Sequence, residues 1–208
     1  DYHAEEWIDE KGIKHHGKNI RNEPVRRMLR AFFEQYAQKA IYHNIAFDVN
    51  VLIYQLYMSD ILDTEGLLKG MSVLLRDWDD TKLISYLATN SCAGNKLGLK
   101  DQSQEYTGNY AQEDIKDITK IPLDQLLRYN LVDGLATWYV AEKHYNTMVN
   151  DNQLNIYETL FKPATLDIIQ MQLTGMPLNM NRVLEVELIL QANCDLALQR
   201  MHGSKIIQ

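Results

Sequence analysis

Tyr129 and Asp133 stand four residues apart in the stretch YNLVD. On a helix that spacing stacks both side chains on one face, with their β-carbons about 6 Å apart, so a phenol and a carboxylate can converge on one small object. A second carboxylate, Asp48, closes the stretch YHNIAFD. There a short buried strand is expected to end on Asn44, with a helix beginning at once and Asp48 in its first turn. Carboxylates brought together supply the oxygen ligands of a hard divalent cation, and we read Asp48 as a residue that holds one. Plainer explanations exist for each residue. An Asp in a first turn is favoured by the helix dipole and caps free N–H groups, and Asp133 can be a solvated acid with Tyr129 packed at the helix edge.

The elements that must position these residues are read from periodicity. Val25, Met28, Leu29, Phe32, Phe33 and Tyr36 share one helical face, with Pro24 near the first turn and Asn22 or Glu23 as the entry. KAIYHN reads as a strand and FDVNVLIYQLYM as a second amphipathic helix. DTEGLLKG starts another helix, VLLRDWDD carries a short strand, and DTKLISYLATNS is a helix capped at Asp80 or Thr81. The stretch from Gly94 to Gly108 is looser. Leu123, Leu126, Leu127, Leu131, Leu135, Trp138 and Tyr139 then predict a long helix from Leu123 to Tyr145. The polar stretch NTMVNDNQLN marks a domain boundary, which divides the chain into 1–150 and 151–208. Beyond it two helices are joined by TGMPLN, with Asn179 or Asn181 capping the second. Strands set between helices imply an α/β layer architecture.

A chain of 208 residues can bury about 70% of its unfolded surface, enough for a rigid site. Its hydrophobic share of 46% and charged share of 24% are those of a folded globular protein. The net charge of -7 argues against holding nucleic acid by overall field. One basic stretch, Lys11, Lys14, Lys18, Arg21, Arg26, Arg27 and Arg30 against the single Glu23, is either a solvated helix face or a phosphate-facing patch. No apolar run is long enough for a membrane span, and the first residues, DYHAEEWIDEK, lack the pattern of a signal peptide, so the expected setting is cytoplasmic with no membrane partner. The absence of an initial Met leads us to expect a preceding segment.

Other reactive residues have structural explanations. Cys92 and Cys194 lack metal-ligand spacing and read as reduced structural thiols. Adjacent His15 and His16 diverge, as suits a surface loop, and His43 reads as packing or a supporting hydrogen bond. Lys96 and Lys100 read as solvated lysines, the default for such residues. Asp63, Thr64 and Glu65 spell Asp-x-Glu, yet they follow a helical pattern and are explained as an N-cap and a first-turn acid.

HNIAFD resembles the second motif, and YNLVD the third, of the 3′-to-5′ proofreading exonuclease domain of family A DNA polymerases, in the Tyr subtype of the DEDD superfamily. LFKPATLDIIQMQLTGMPLNMNRVLEVE is similar to the segment leading from that domain into the polymerase domain, above all in bacteriophage enzymes. The resemblance implies an incomplete ribonuclease H-like fold, a mixed sheet flanked by helices, followed by the first helices of a polymerase domain. It implies that Asp48 and Asp133 are two of four acids binding two Mg²⁺ (or Mn²⁺) ions, that Tyr129 orients the attacking water, and that Asn44 holds the terminal nucleotide. In such sites two ions roughly 3.5 to 4 Å apart stabilise both the attacking and the leaving oxygen. The implied partners are single-stranded DNA at a primer 3′ end and the rest of the polymerase, in an infected bacterial host cell if the chain is phage-encoded. The family's first motif, Asp-x-Glu on a preceding strand, has no match before Asn44, so the complete site is expected to need an upstream segment and this chain alone to be inactive. The alternatives are a non-catalytic exonuclease-like module that scaffolds the polymerase or binds single-stranded DNA, and an exoribonuclease of the same fold.

Overall fold

The computed structural model describes residues 6–8, 12, 14–16, 23–89, 94–108 and 121–203. Cys92, Asn22, Lys11, Lys18 and Arg21 lie outside them. Strands β1 (Glu6–Ile8) and β2 (Lys14–His16) pair antiparallel, with Trp7 opposite His15. Helix α1 (Glu23–Gln35) follows, then β3 (Ala40–Tyr42), α2 (Ile45–Leu56) and α3 (Thr64–Leu74). Strand β4 (Trp78–Asp80) returns parallel to β3, with Ala40 opposite Trp78, Ile41 opposite Asp79 and Tyr42 opposite Asp80. A parallel pair needs a long crossover, which α2 and α3 provide.

Helix α4 (Thr81–Ala88) leaves β4 directly. Helix α5 (Leu99–Thr107) occupies a stretch expected to be looser. Its sequence, LKDQSQEYT, has no apolar period, and the helix is held instead by its neighbour. That neighbour is α6 (Leu123–Asn150), which runs past the expected end at Tyr145. A short helix α7 (Leu154–Ile156), a π-helical turn over Tyr157–Phe161 and α8 (Lys162–Thr174) follow without a break.

The chain divides into two compact units, Asp1–Thr174 and Gly175–Gln208. In the first, Ile45, Val49 and Ile53 repeat every four residues along α2 and pack with Met58, Leu67, Leu74, Trp78 and Ile169. Each large aliphatic side chain so buried stabilises the fold by about 1.5–3 kcal/mol. Gly70 lets α3 approach α2 closely, since a β-carbon there would lie 2.9 Å from Ile53 Cγ2. A second cluster joins Ile84, Met148 and Tyr157. The polar stretch 146–155, where the sequence places a boundary, holds the last turn of α6 and the start of α7. The compact unit continues beyond it because Tyr157 and Ile169 are fully buried in these two clusters.

Tyr157 also makes the deepest polar contact. Its hydroxyl accepts the Asp80 N–H at 2.9 Å and donates to Asp79 Oδ1 at 3.1 Å. Asp79, itself buried, is neutralised by Lys39 at 2.9 Å and Lys162 at 3.1 Å. Burial raises the Tyr157 phenol well above the ordinary tyrosine value, so it stays protonated.

The second unit is α9 (Met180–His202), preceded by a turn in which Gly175 takes a positive φ of 68°. Asn179 caps α9 by accepting the Arg182 N–H at 3.1 Å. Cys194, read from the sequence as a reduced structural thiol, is a free thiol exposed on this helix. No described helix is long and apolar enough to cross a membrane.

Candidate functional site

The corner between β3 and α2 is built around Asn44 and Asp80. Asn44 adopts the left-handed conformation, φ 67° and ψ 57°, which Asn tolerates better than most residues. This turns the chain sharply enough for α2 to begin one residue later. Its own side chain makes no cap. The cap comes from the end of β4, since the register that sets Tyr42 opposite Asp80 also brings the Asp80 carboxylate beneath the first turn of α2. Asp80 Oδ1 accepts the Asn44 N–H at 2.9 Å, and Oδ2 accepts the Ile45 N–H at 2.9 Å. Oδ1 also accepts the Lys82 N–H at 2.9 Å, so one buried carboxylate caps both α2 and α4.

Asp48 projects from the first turn of α2 into a cleft of about 420 Å³. The same cleft takes Asp133, from the middle of α6. His43, Phe47, Leu99, Thr137 and Trp138 complete most of its wall. The two acids picked out of the sequence are thus brought to one place from distant parts of the chain. Asp48 is open to solvent at the mouth of the cleft while protein covers its other side. Its carboxyl is raised above the ordinary aspartate value, first by lost hydration and then by the charges of Asp80 and Asp133. Crowded like charges of this kind are relieved by a bound cation.

Among the described residues no three His, Cys, Asp or Glu side chains converge as a metal-holding group. The donor chemistry of Asp48 and Asp133, all carboxylate oxygen, nevertheless fits a hard divalent ion, for which they would be two ligands among several. Tyr129 lies one turn before Asp133 and outside the residues that line the cleft. Its ring sits beneath the Lys100 ammonium, 5.1 Å from the ring centroid. Asn44 is likewise outside the lining residues, with its Oδ1 accepting from Lys82 Nζ at 3.4 Å.

His43 plays a supporting part. Its Nδ1 shares a 2.8 Å hydrogen bond with Thr81 Oγ1, and the Thr81 hydroxyl donates to the Tyr42 carbonyl at 3.1 Å. Burial lowers its pKa against the opposing pull of Asp80, with Lys82 lowering it further. The Asp63-Thr64-Glu65 stretch is far from this chemistry. Asp63 caps α3 through the Gly66 N–H at 2.8 Å and also accepts the Ser59 N–H at 2.7 Å. Of the described arginines in the basic stretch, Arg26, Arg27 and Arg30 lie 3.3, 4.0 and 2.8 Å from Glu23, and Arg26 Nε also donates to the Gln55 carbonyl at 2.7 Å.

Several wall residues escaped the sequence reading. Thr137 stands four after Asp133 on α6, so helical spacing alone could have found it. Leu99 left no signal, because the helix that carries it is fixed by tertiary contacts. The double role of Asp80 was equally hidden, since its second helix is distant in sequence. No protein-family model, curated protein or solved structure matches the chain.

Proposed function

We propose that the chain belongs to the 3′-to-5′ proofreading exonuclease domain of a family A DNA polymerase, an incomplete ribonuclease H-like fold with residues 151–208 leading into the polymerase domain. The observation that supports it most is the meeting of Asp48 and Asp133 in one cleft, with Tyr129 a turn away on the same helix. Asp48 and Asp133 would hold Mg²⁺ or Mn²⁺ together with acids that the described residues do not supply. Bound divalent ions supply charge stabilisation for phosphodiester hydrolysis. The chain's own residues bind and orient: Tyr129 positions the attacking water, and Asn44 steadies the terminal nucleotide. Phe47 and Trp138, both exposed on the cleft wall, offer rings on which bases of a frayed primer end stack without sequence preference.

The test is Mg²⁺- or Mn²⁺-dependent degradation of a single-stranded DNA labelled at its 5′ end, by this chain and by one extended upstream through an Asp-x-Glu strand. Stepwise shortening from the 3′ end by the extended form alone is expected. If neither form cuts, the reading fails.

A second reading draws on the lack of a three-ligand group among the described residues. It is a non-catalytic exonuclease-like module that binds single-stranded DNA or scaffolds the polymerase. Binding of the strand by an extended chain that never cuts it would favour this module.

A further inference from the structure

The lysines of the first unit whose side chains are described divide by what they meet. Lys39 and Lys162 meet Asp79, Lys69 meets Glu34, Lys96 meets Asp101 and Lys143 meets Glu105. Among the described residues Lys82 and Lys100 meet no carboxylate, and both stand beside the cleft that holds Asp48 and Asp133. Lys82 Nζ rests 3.4 Å from Asn44 Oδ1, and Lys100 Nζ lies 5.1 Å from the Tyr129 ring centroid.

Neither position is left to chance. Lys82 is the second residue of α4, whose start is fixed by the buried Asp80. Lys100 is carried by α5, which α6 holds at several points. Tyr106 stacks on Tyr139 with centroids 4.6 Å apart and planes 5° from parallel. Gln102 Oε1 and the buried His144 Nε2 share a 2.7 Å hydrogen bond, and Lys143 reaches Glu105 at 2.7 Å. Ser103 on α5 is fully buried, with its hydroxyl donating to the Leu99 carbonyl at 2.8 Å. The residue before Lys100, Leu99, lines the cleft itself.

Two ammonium groups beside a cleft that holds Asp48 and Asp133, and meeting no described carboxylate, are placed to meet a polyanion that the acids would repel. We propose that Lys82 and Lys100 bind backbone phosphates of one nucleic-acid strand lying through the cleft, Lys82 on the Asn44 side and Lys100 on the Tyr129 side. This rests on the nuclease reading of the cleft and adds to it the residues that grip the strand. Such contacts set affinity and salt dependence and are indifferent to base identity.

The test is binding of a fluorescein-labelled oligothymidylate to the 208-residue chain, followed by anisotropy over a salt series without divalent cation. Each of Lys82→Gln and Lys100→Gln is expected to reduce the slope of log affinity against log salt by about 0.7, and the double variant by about twice that. Lys82→Arg and Lys100→Arg should keep the wild-type slope. Lys96→Gln, which removes an exposed lysine already paired with Asp101, should leave it unchanged. An unchanged slope in the double variant, or an equal loss in Lys96→Gln, overturns the proposal while leaving the nuclease reading standing. Failure of the wild-type chain to bind the strand also overturns the proposal, whereas the nuclease reading falls only if the upstream-extended chain does not cut.

Discussion

The Asp80 carboxylate, at the end of one strand, receives the backbone N–H of Ile45 at 2.9 Å, at the start of the helix that follows the neighbouring strand. This contact fixes where α2 begins, and so where Asp48 points one turn later. Because Asp80 caps α4 as well, its removal exposes two helix starts at once. An N-cap is typically worth about 0.5–2 kcal/mol, so we predict that Asp80→Ala, which removes two, lowers stability by about 1–4 kcal/mol. Urea denaturation should show the midpoint falling with the slope unchanged. Asp80→Asn, which keeps one acceptor oxygen, should lose less.

Asp48 carries the opposite sign. Its folded carboxyl titrates above the ordinary value of 3.8, because of lost hydration and the nearby charges of Asp80 and Asp133. A raised acid contributes stability that is complete below the unfolded value and is lost as pH rises through the folded one. At neutral pH the ionised Asp48 therefore costs stability, and Asp48→Asn is predicted to raise the melting temperature. Mn²⁺ should raise it in the wild-type chain and have a smaller effect in Asp48→Asn. A lower melting temperature for Asp48→Asn at neutral pH would contradict this account of the site's electrostatics.

Trp138 offers a ring to the cleft while Trp78 is buried in the core. If bases stack there, binding of an oligothymidylate quenches tryptophan emission. Trp138→Ala should then weaken binding by about 1–3 kcal/mol, the usual worth of one stacked base. Quenching of equal size in Trp138→Ala would place the strand elsewhere.

How much of this could be read from the residues alone varies with the range of the interaction. Helix α1, the start of α2 just after Asn44, the Asp63 cap and the placement of Asp48 and Asp133 on helices follow from local patterns, whereas the strand expected to be buried and to end on Asn44 is only partly covered and ends at Tyr42. Helix α5 did not follow, since Gln102 and Tyr106 are held by partners on α6 that lie a long way along the chain. The Tyr157 bridge to Asp79 and Asp80 was hidden for the same reason. Nothing in NIYETLF distinguishes a buried phenol from one on a helix surface. Asp80 was legible as the cap of α4 and illegible as the cap of α2, which depends on strand register.

The most direct measurement of the central claim, that Asp48 and Asp133 together hold a catalytic cation, is 3′-end degradation of single-stranded DNA by a chain extended through the Asp-x-Glu strand. Asp133→Ala and Asp48→Asn are each predicted to abolish cutting with the circular dichroism unchanged. Tyr129→Phe should lose less, because the phenol orients water and holds no ion. Asp101→Asn, an acid on α5 outside the cleft lining, should cut at the wild-type rate. Unchanged cutting by Asp133→Ala would contradict the account.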